Sequence, residues 1–120
     1  FDWLSRDEAV VDKYSADPLC VFIPTSGLMR DMMFGLGLLN RSDTINRMRT
    51  DTPIIFMSGD ADPVGGYGMQ VAKIYRDYVR AGFTDVAYKF YKGARHEILN
   101  EINRDEVYRD ILDWIFTKLD

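Results

Sequence analysis

The segment Ile54-Ile55-Phe56-Met57 constrains this chain most: four consecutive apolar residues, bounded by Pro53 on one side and Ser58-Gly59-Asp60 on the other. A run this short and uniformly apolar reads as a strand buried on both faces, as in parallel sheets. The residues after it support that reading. Asp60-Ala61-Asp62-Pro63-Val64-Gly65-Gly66 is rich in turn residues. Val71, Ala72, Tyr75, Tyr78 and Val79 then fall on one helical face, and Gly82 predicts its stop. Val86 to Tyr91 alternates as a second, less buried strand. A helix between two strands is the parallel crossover unit, right-handed almost without exception. Asn103 with Glu106 predicts the start of a last helix, striped by Val107, Ile111, Trp114 and Ile115.

Residues 1–50 read as wholly helical. Ser5 stands three residues before Glu8, a capping-box spacing, and Val10, Val11 and Tyr14 supply an apolar stripe. Asp17-Pro18 ends that helix, because a residue before proline avoids the helical region. A second helix is predicted from Ser26 to Leu39, with Asn40 as its stop, and a short third one after Ser42 uses Ile45 and Met48. The second helix is apolar around most of its circumference and holds Met29, Met32 and Met33. Taken alone it reads as a core helix. The competing reading is an adaptable wall for an apolar ligand, since Met fills irregular space easily.

The strand ends matter for function, because sites in open parallel sheets form where loops leave the carboxyl ends of strands. Asp62 lies just past the end of the first strand and His96, the one histidine, just past the end of the second. Neighbouring strands are about 4.8 Å apart, so short loops can bring this carboxylate to this imidazole. Such a carboxylate fixes the imidazole tautomer and stabilises the imidazolium formed when the other ring nitrogen takes a proton. Asp60 competes for the acid role, and either residue can simply shape the turn. The pair has nothing here to deprotonate: none of Ser5, Ser15, Ser26, Ser42 and Ser58 sits in a G-x-S-x-G elbow.

Other constellations are weak. His96-Glu97 with Glu101 lacks the second histidine of a zinc helix, and Val71 stands where a calcium loop needs its bidentate glutamate. The glycines at 35, 37, 65, 66 and 68 do not form a phosphate cradle. No metal or cofactor is expected. Glu101 is read as an ion-pair partner or backbone cap beside the histidine loop. A net charge of −4 argues against a nucleic-acid partner. The single Cys20 forms no internal disulfide and reads as a small buried hydrophobe. With no bilayer-length apolar run, these features lead to the expectation of a cytoplasmic protein.

Pro53 to Gly65, P-I-I-F-M-S-G-D-A-D-P-V-G, resembles the strand and acid loop of the lysophospholipase and monoacylglycerol lipase-like serine hydrolases, members of the α/β-hydrolase superfamily. Gly93-Ala94-Arg95-His96-Glu97-Ile98-Leu99-Asn100-Glu101 is similar to their histidine loop, and Asn103-Arg104 through Val107 to Trp114-Ile115 to their last helix. Asp2-Trp3-Leu4-Ser5-Arg6-Asp7, followed by Asp17-Pro18-Leu19-Cys20, is similar to the end of their helical cap. The resemblance covers essentially the whole chain. It implies Asp62 as triad acid, with Asp60 left as a turn or strand-end cap, and His96 as catalytic base.

By the resemblance the chain is α/β, the C-terminal part of an α/β-hydrolase: residues 1–50 a helical cap segment and 51–120 core. It implies hydrolysis of a monoacyl lipid-like ester through a serine acyl-enzyme, with Met29, Met32 and Met33 walling the acyl chain. The chain order of such triads puts the nucleophile upstream of Phe1, so the expected partner is the remainder of the same chain. Alone, the piece is expected to lack activity. Two strands would leave an unpaired edge and one uncovered face, inviting self-association. A non-catalytic hydrolase-fold binding protein lacking the elbow serine, or a self-sufficient small domain, are the rivals.

Overall fold

A computed structural model describes residues 1–39 and 41–119. Its elements, in order, are α1 (Glu8–Ala16), α2 (Ser26–Leu39), α3 (Ser42–Ile45), β1 (Ile54–Gly59), α4 (Met69–Arg80), β2 (Val86–Tyr91) and α5 (Arg104–Phe116), with a single 3-10 turn at Ile98–Asn100. The strands pair in parallel, in register from Ile54 opposite Val86 to Gly59 opposite Tyr91. The strand–helix–strand–helix order is therefore the one the sequence predicts. Asn40, the expected end of α2, lies outside the described residues.

Strand alternation sorts the side chains onto two faces. On one, Phe56 meets Tyr78 of α4 with ring centroids 5.3 Å apart, and Tyr88 meets Tyr75 at 4.7 Å. On the other, Tyr91 and Met57 join Val107 and Ile111 of α5 in the main core cluster. That second face carries its own polar tie. The Tyr91 hydroxyl donates to Asp110 at 2.9 Å, and Lys89 reaches the same carboxylate at 2.5 Å. A helix thus lies on each side of the sheet, so the expected uncovered face is not found. The expectation that β1 is buried on both faces is also corrected. Its first four residues are only half-buried, because a sheet of two strands gives each one a single hydrogen-bonded neighbour.

The helix ends obey local rules in most places. Asp17 is extended, with ψ at 115°, and α1 stops before it, as a residue preceding proline requires. Gly82 takes φ of 91° after α4, a conformation that only glycine enters freely. The capping box is a miss: Asp7, not Ser5, caps α1 by accepting from the Ala9 N–H. Ser5 is buried and its hydroxyl donates to the Asn100 carbonyl, 95 residues away. Nor does Asn103 cap α5 onto backbone; its side chain bridges Glu106 and Arg6.

The first half meets the second through residues 2–7. Leu4 and Ser5 are buried, and Arg104 of α5 pairs with Asp7 at 3.0 Å. Beyond α1 the contrast is large. Helix α2 begins with the Thr25 hydroxyl accepting from the Leu28 N–H and packs on α3, yet it has no buried residue. The reading of α2 as a core helix therefore fails: Met29, Met32 and Met33 are all exposed, and Ile23 just before it is 93% exposed. Among the described residues no helix is long and apolar enough to cross a membrane.

Candidate active site

The loops leaving β1 and β2 are stitched together before any functional side chain is considered. The Asp60 N–H donates to the Tyr91 carbonyl and the Ala61 N–H to the Ala94 carbonyl, at 3.2 and 3.0 Å. The Asp60 carboxylate accepts the Gly93 N–H at 2.5 Å. Asp60 is thus a strand-end cap that ties one loop to the other. Gly59 permits the approach: a Cβ there would stand 2.0 Å from the Ala94 carbonyl oxygen, closer than any side chain allows.

On this frame the structure brings Asp62 and His96 together, with His96 Nδ1 3.0 Å from Asp62 Oδ2. Asp62 is 4% exposed, and the other oxygen of its carboxylate accepts the Val64 N–H at 2.8 Å. Gly65 leaves it room, since a Cβ at that position would lie 3.1 Å from Oδ2. The imidazole side chain remains 40% exposed. A buried carboxylate on Nδ1 favours the tautomer with the proton on Nδ1, leaving Nε2 as the basic nitrogen. The pair can therefore hold an oriented base, whose imidazolium the carboxylate would stabilise.

The histidine loop is fixed from its other side by the N-terminal residues. The His96 N–H donates to the Trp3 carbonyl at 3.2 Å, the Glu97 N–H to the Leu4 carbonyl at 2.8 Å, and Arg95 reaches the Asp2 and Ser5 carbonyls. The Trp3 ring lies 5.2 Å from the imidazole centroid, tilted by 51°. Nothing in the wording of the first residues points to these contacts, which depend on folding over 90 positions or more.

Glu101 is fully buried and acts both as ion-pair partner and as backbone cap. It accepts from Arg6 Nε at 2.9 Å and from the Arg95 N–H at 2.7 Å. Burial pushes its carboxyl pKa up, but the Arg95 N–H, the Arg6 guanidinium and the Ile102 and Arg6 N–H groups outweigh that and hold it below the ordinary value. Glu97 is bonded to Asn100 at 2.8 Å. Ser58 is buried at the end of β1, its hydroxyl directed to the Gly59 carbonyl, with no strand-to-helix elbow. Cys20 is half-buried rather than buried. Met29, Met32 and Met33 lie on α2, which packs on α3.

A parallel strand pair with a helix on either face, joined at its carboxyl end by a buried carboxylate and an imidazole, has the fold of the C-terminal part of an α/β-hydrolase. The chain belongs to the serine aminopeptidase S33 family, whose model matches residues 1–103. It is 30% identical over 121 residues to a monoacylglycerol lipase of Mycolicibacterium smegmatis, covering 98% of this chain and 40% of the relative. A thermostable carboxyl esterase from Bacillus coagulans, solved with glycerol, superposes with a TM-score of 0.81 at 31% identity, over 97% of this chain and 38% of the esterase. A soluble variant of the Saccharomyces cerevisiae monoglyceride lipase, solved with a substrate analogue, superposes with a TM-score of 0.74 at 25% identity. That match covers 98% of this chain and 42% of the lipase. The resemblance to monoacylglycerol lipase-like hydrolases is borne out, and the chain spans about two fifths of the length of these relatives.

Proposed function

We propose that this chain supplies the acid and the base of a serine ester hydrolase acting on monoacylglycerol-like or lysophospholipid-like esters. The observation that carries the reading is the 3.0 Å contact between His96 Nδ1 and a buried Asp62, with the imidazole side chain still partly exposed. His96 takes the proton of a serine hydroxyl carried by the remainder of the same chain, upstream of Phe1. The serine oxygen attacks the ester carbonyl, and His96 returns the proton to the departing alcohol. A water then attacks the acyl-serine with His96 again as base, releasing the carboxylic acid and restoring the serine. Asp62 keeps Nδ1 protonated throughout and stabilises each imidazolium.

Residues 1–50 serve as the cap segment over the core formed by 51–120, and Met29, Met32 and Met33 line the acyl-chain side. Their support is the exposed, apolar surface of α2, which has the flexible side chains a lipid tail needs. A cytoplasmic setting fits the single cysteine.

The experiment is hydrolysis of monoacylglycerol and lysophospholipid by the full-length polypeptide, with fluorophosphonate trapping and mapping of the labelled residue. Ester turnover, with the label on a serine outside residues 1–120, is the expected result. A full-length polypeptide that neither turns over esters nor takes the label would place the binding-protein reading first.

A further inference from the structure

One charged side chain that touches neither the imidazole nor the acid is wholly buried next to them. Glu101 is 0% exposed, and a carboxylate taken out of water persists only where it is paired and hydrogen-bonded. Its Oε1 accepts the Arg95 N–H at 2.7 Å and the Arg6 N–H at 3.2 Å, and its Oε2 accepts Arg6 Nε at 2.9 Å and the Ile102 N–H at 3.2 Å. Apart from the adjacent Ile102 N–H, these donors come from two other stretches of chain. Arg95 immediately precedes His96, and Arg6 sits just before α1. The same stretches meet again on the far side of the histidine, where the His96 and Glu97 N–H groups donate to the Trp3 and Leu4 carbonyls. Ser5 Oγ closes the seam on the Asn100 carbonyl at 2.9 Å, and Arg6 also reaches Asn103 at 2.8 Å.

Asp62 holds the imidazole at one ring nitrogen, which sets the tautomer but leaves the ring free to swing with its loop. Fixing the backbone before and after His96 removes that freedom. We infer that Glu101 is a positioning residue for the base: through the Arg95 N–H and Arg6 it pins the His96 loop to residues 3–6, keeping Nε2 aimed at the nucleophile. The inference rests on the acid–base reading above and goes beyond it. The reach of the base then depends on a carboxylate outside the triad, and on the segment that leads into the helical half.

The test is E101Q in the full-length polypeptide, assayed for ester hydrolysis with and without H96A. Glutamine keeps the shape but turns a donor group toward donors that the carboxylate accepted. Because misplacing a reacting group by about 1 Å can cost on the order of 100-fold in rate, kcat should fall about 10- to 100-fold, with KM changed less than about 2-fold. In the H96A background the same substitution should cost nothing further, because a group that acts only by aiming His96 has nothing left to aim. R6A, which leaves Glu101 its backbone donors, should act in the same direction and carries the comparison if E101Q does not fold. An equal loss with and without His96, a loss that tracks the unfolded fraction, or an unchanged kcat in the folded variant would overturn the inference. Failure of the acid–base reading is seen separately, in an H96A variant that hydrolyses esters like the wild type.

Discussion

Replacing Gly59 by Ala adds one methyl group where the end of β1 passes beneath the histidine loop. That carbon would stand 2.0 Å from the Ala94 carbonyl oxygen, 2.3 Å from its carbon and 2.4 Å from the Arg95 oxygen. A relaxed carbon–oxygen contact sits at about 3.3 Å, so strand or loop must retreat by more than about 1 Å. All three neighbours are backbone, and no rotamer change relieves the clash. The retreat acts on the bond from the Ala61 N–H to the Ala94 carbonyl and on the Asp62–His96 contact, both at 3.0 Å. A side-chain bond stretched to 3.6 Å is no longer one. Overpacking costs about 1–3 kcal/mol and a lost hydrogen bond about 1 kcal/mol, so G59A should lose roughly 2–4 kcal/mol. The surviving folded enzyme should turn over about 100-fold more slowly. Urea unfolding and ester hydrolysis of the full-length polypeptide check both. A G59A protein with wild-type stability and rate would refute the steric reasoning.

Two further predictions concern pH. Glu101, with its carboxyl held below the ordinary value, contributes stability that is fully present above the unfolded value of about 4.3 and is lost as pH falls through the lower folded value; urea midpoints of wild type and E101Q between about pH 6 and pH 2 should therefore converge on acidification. Tyr91 is shifted the other way: burial first, then its bond to Asp110 and the nearby Glu106, raise its hydroxyl well above the usual value. Its contribution is intact below about pH 10 and lost as pH climbs above that, so Y91F should cost about 1 kcal/mol at neutrality and flatten the alkaline limb of the stability profile.

The sequence made the strands, the crossover helix and most helix ends legible because these are local decisions. An apolar run of four, a proline after Asp17 and a glycine at 82 act within a turn or two of themselves. The meeting of Asp62 and His96 was legible from topology, since both lie one short loop beyond adjacent parallel strands. What stayed hidden is tertiary. Ser5 has the right spacing to cap α1, but its hydroxyl is drawn to Asn100 when Leu4 and Ser5 are buried against the histidine loop. Gly59 reads as a strand end and turns out to be the crossing point of two loops. The character of α2 was misjudged for a different reason. An apolar helix reads as core only if enough chain surrounds it, and here none of its residues is buried.

We propose Asp62 and His96 as one acid–base unit acting on a serine elsewhere in the same chain. The direct measurement is kcat/KM for a short-chain ester with the full-length polypeptide, comparing wild type, D62N and H96A, each verified as folded. Losses on the order of 10,000-fold are expected for both, with D62N in the H96A background costing little more, because members of such a unit are strongly non-additive. Single variants that each keep near wild-type kcat/KM while remaining folded would contradict it.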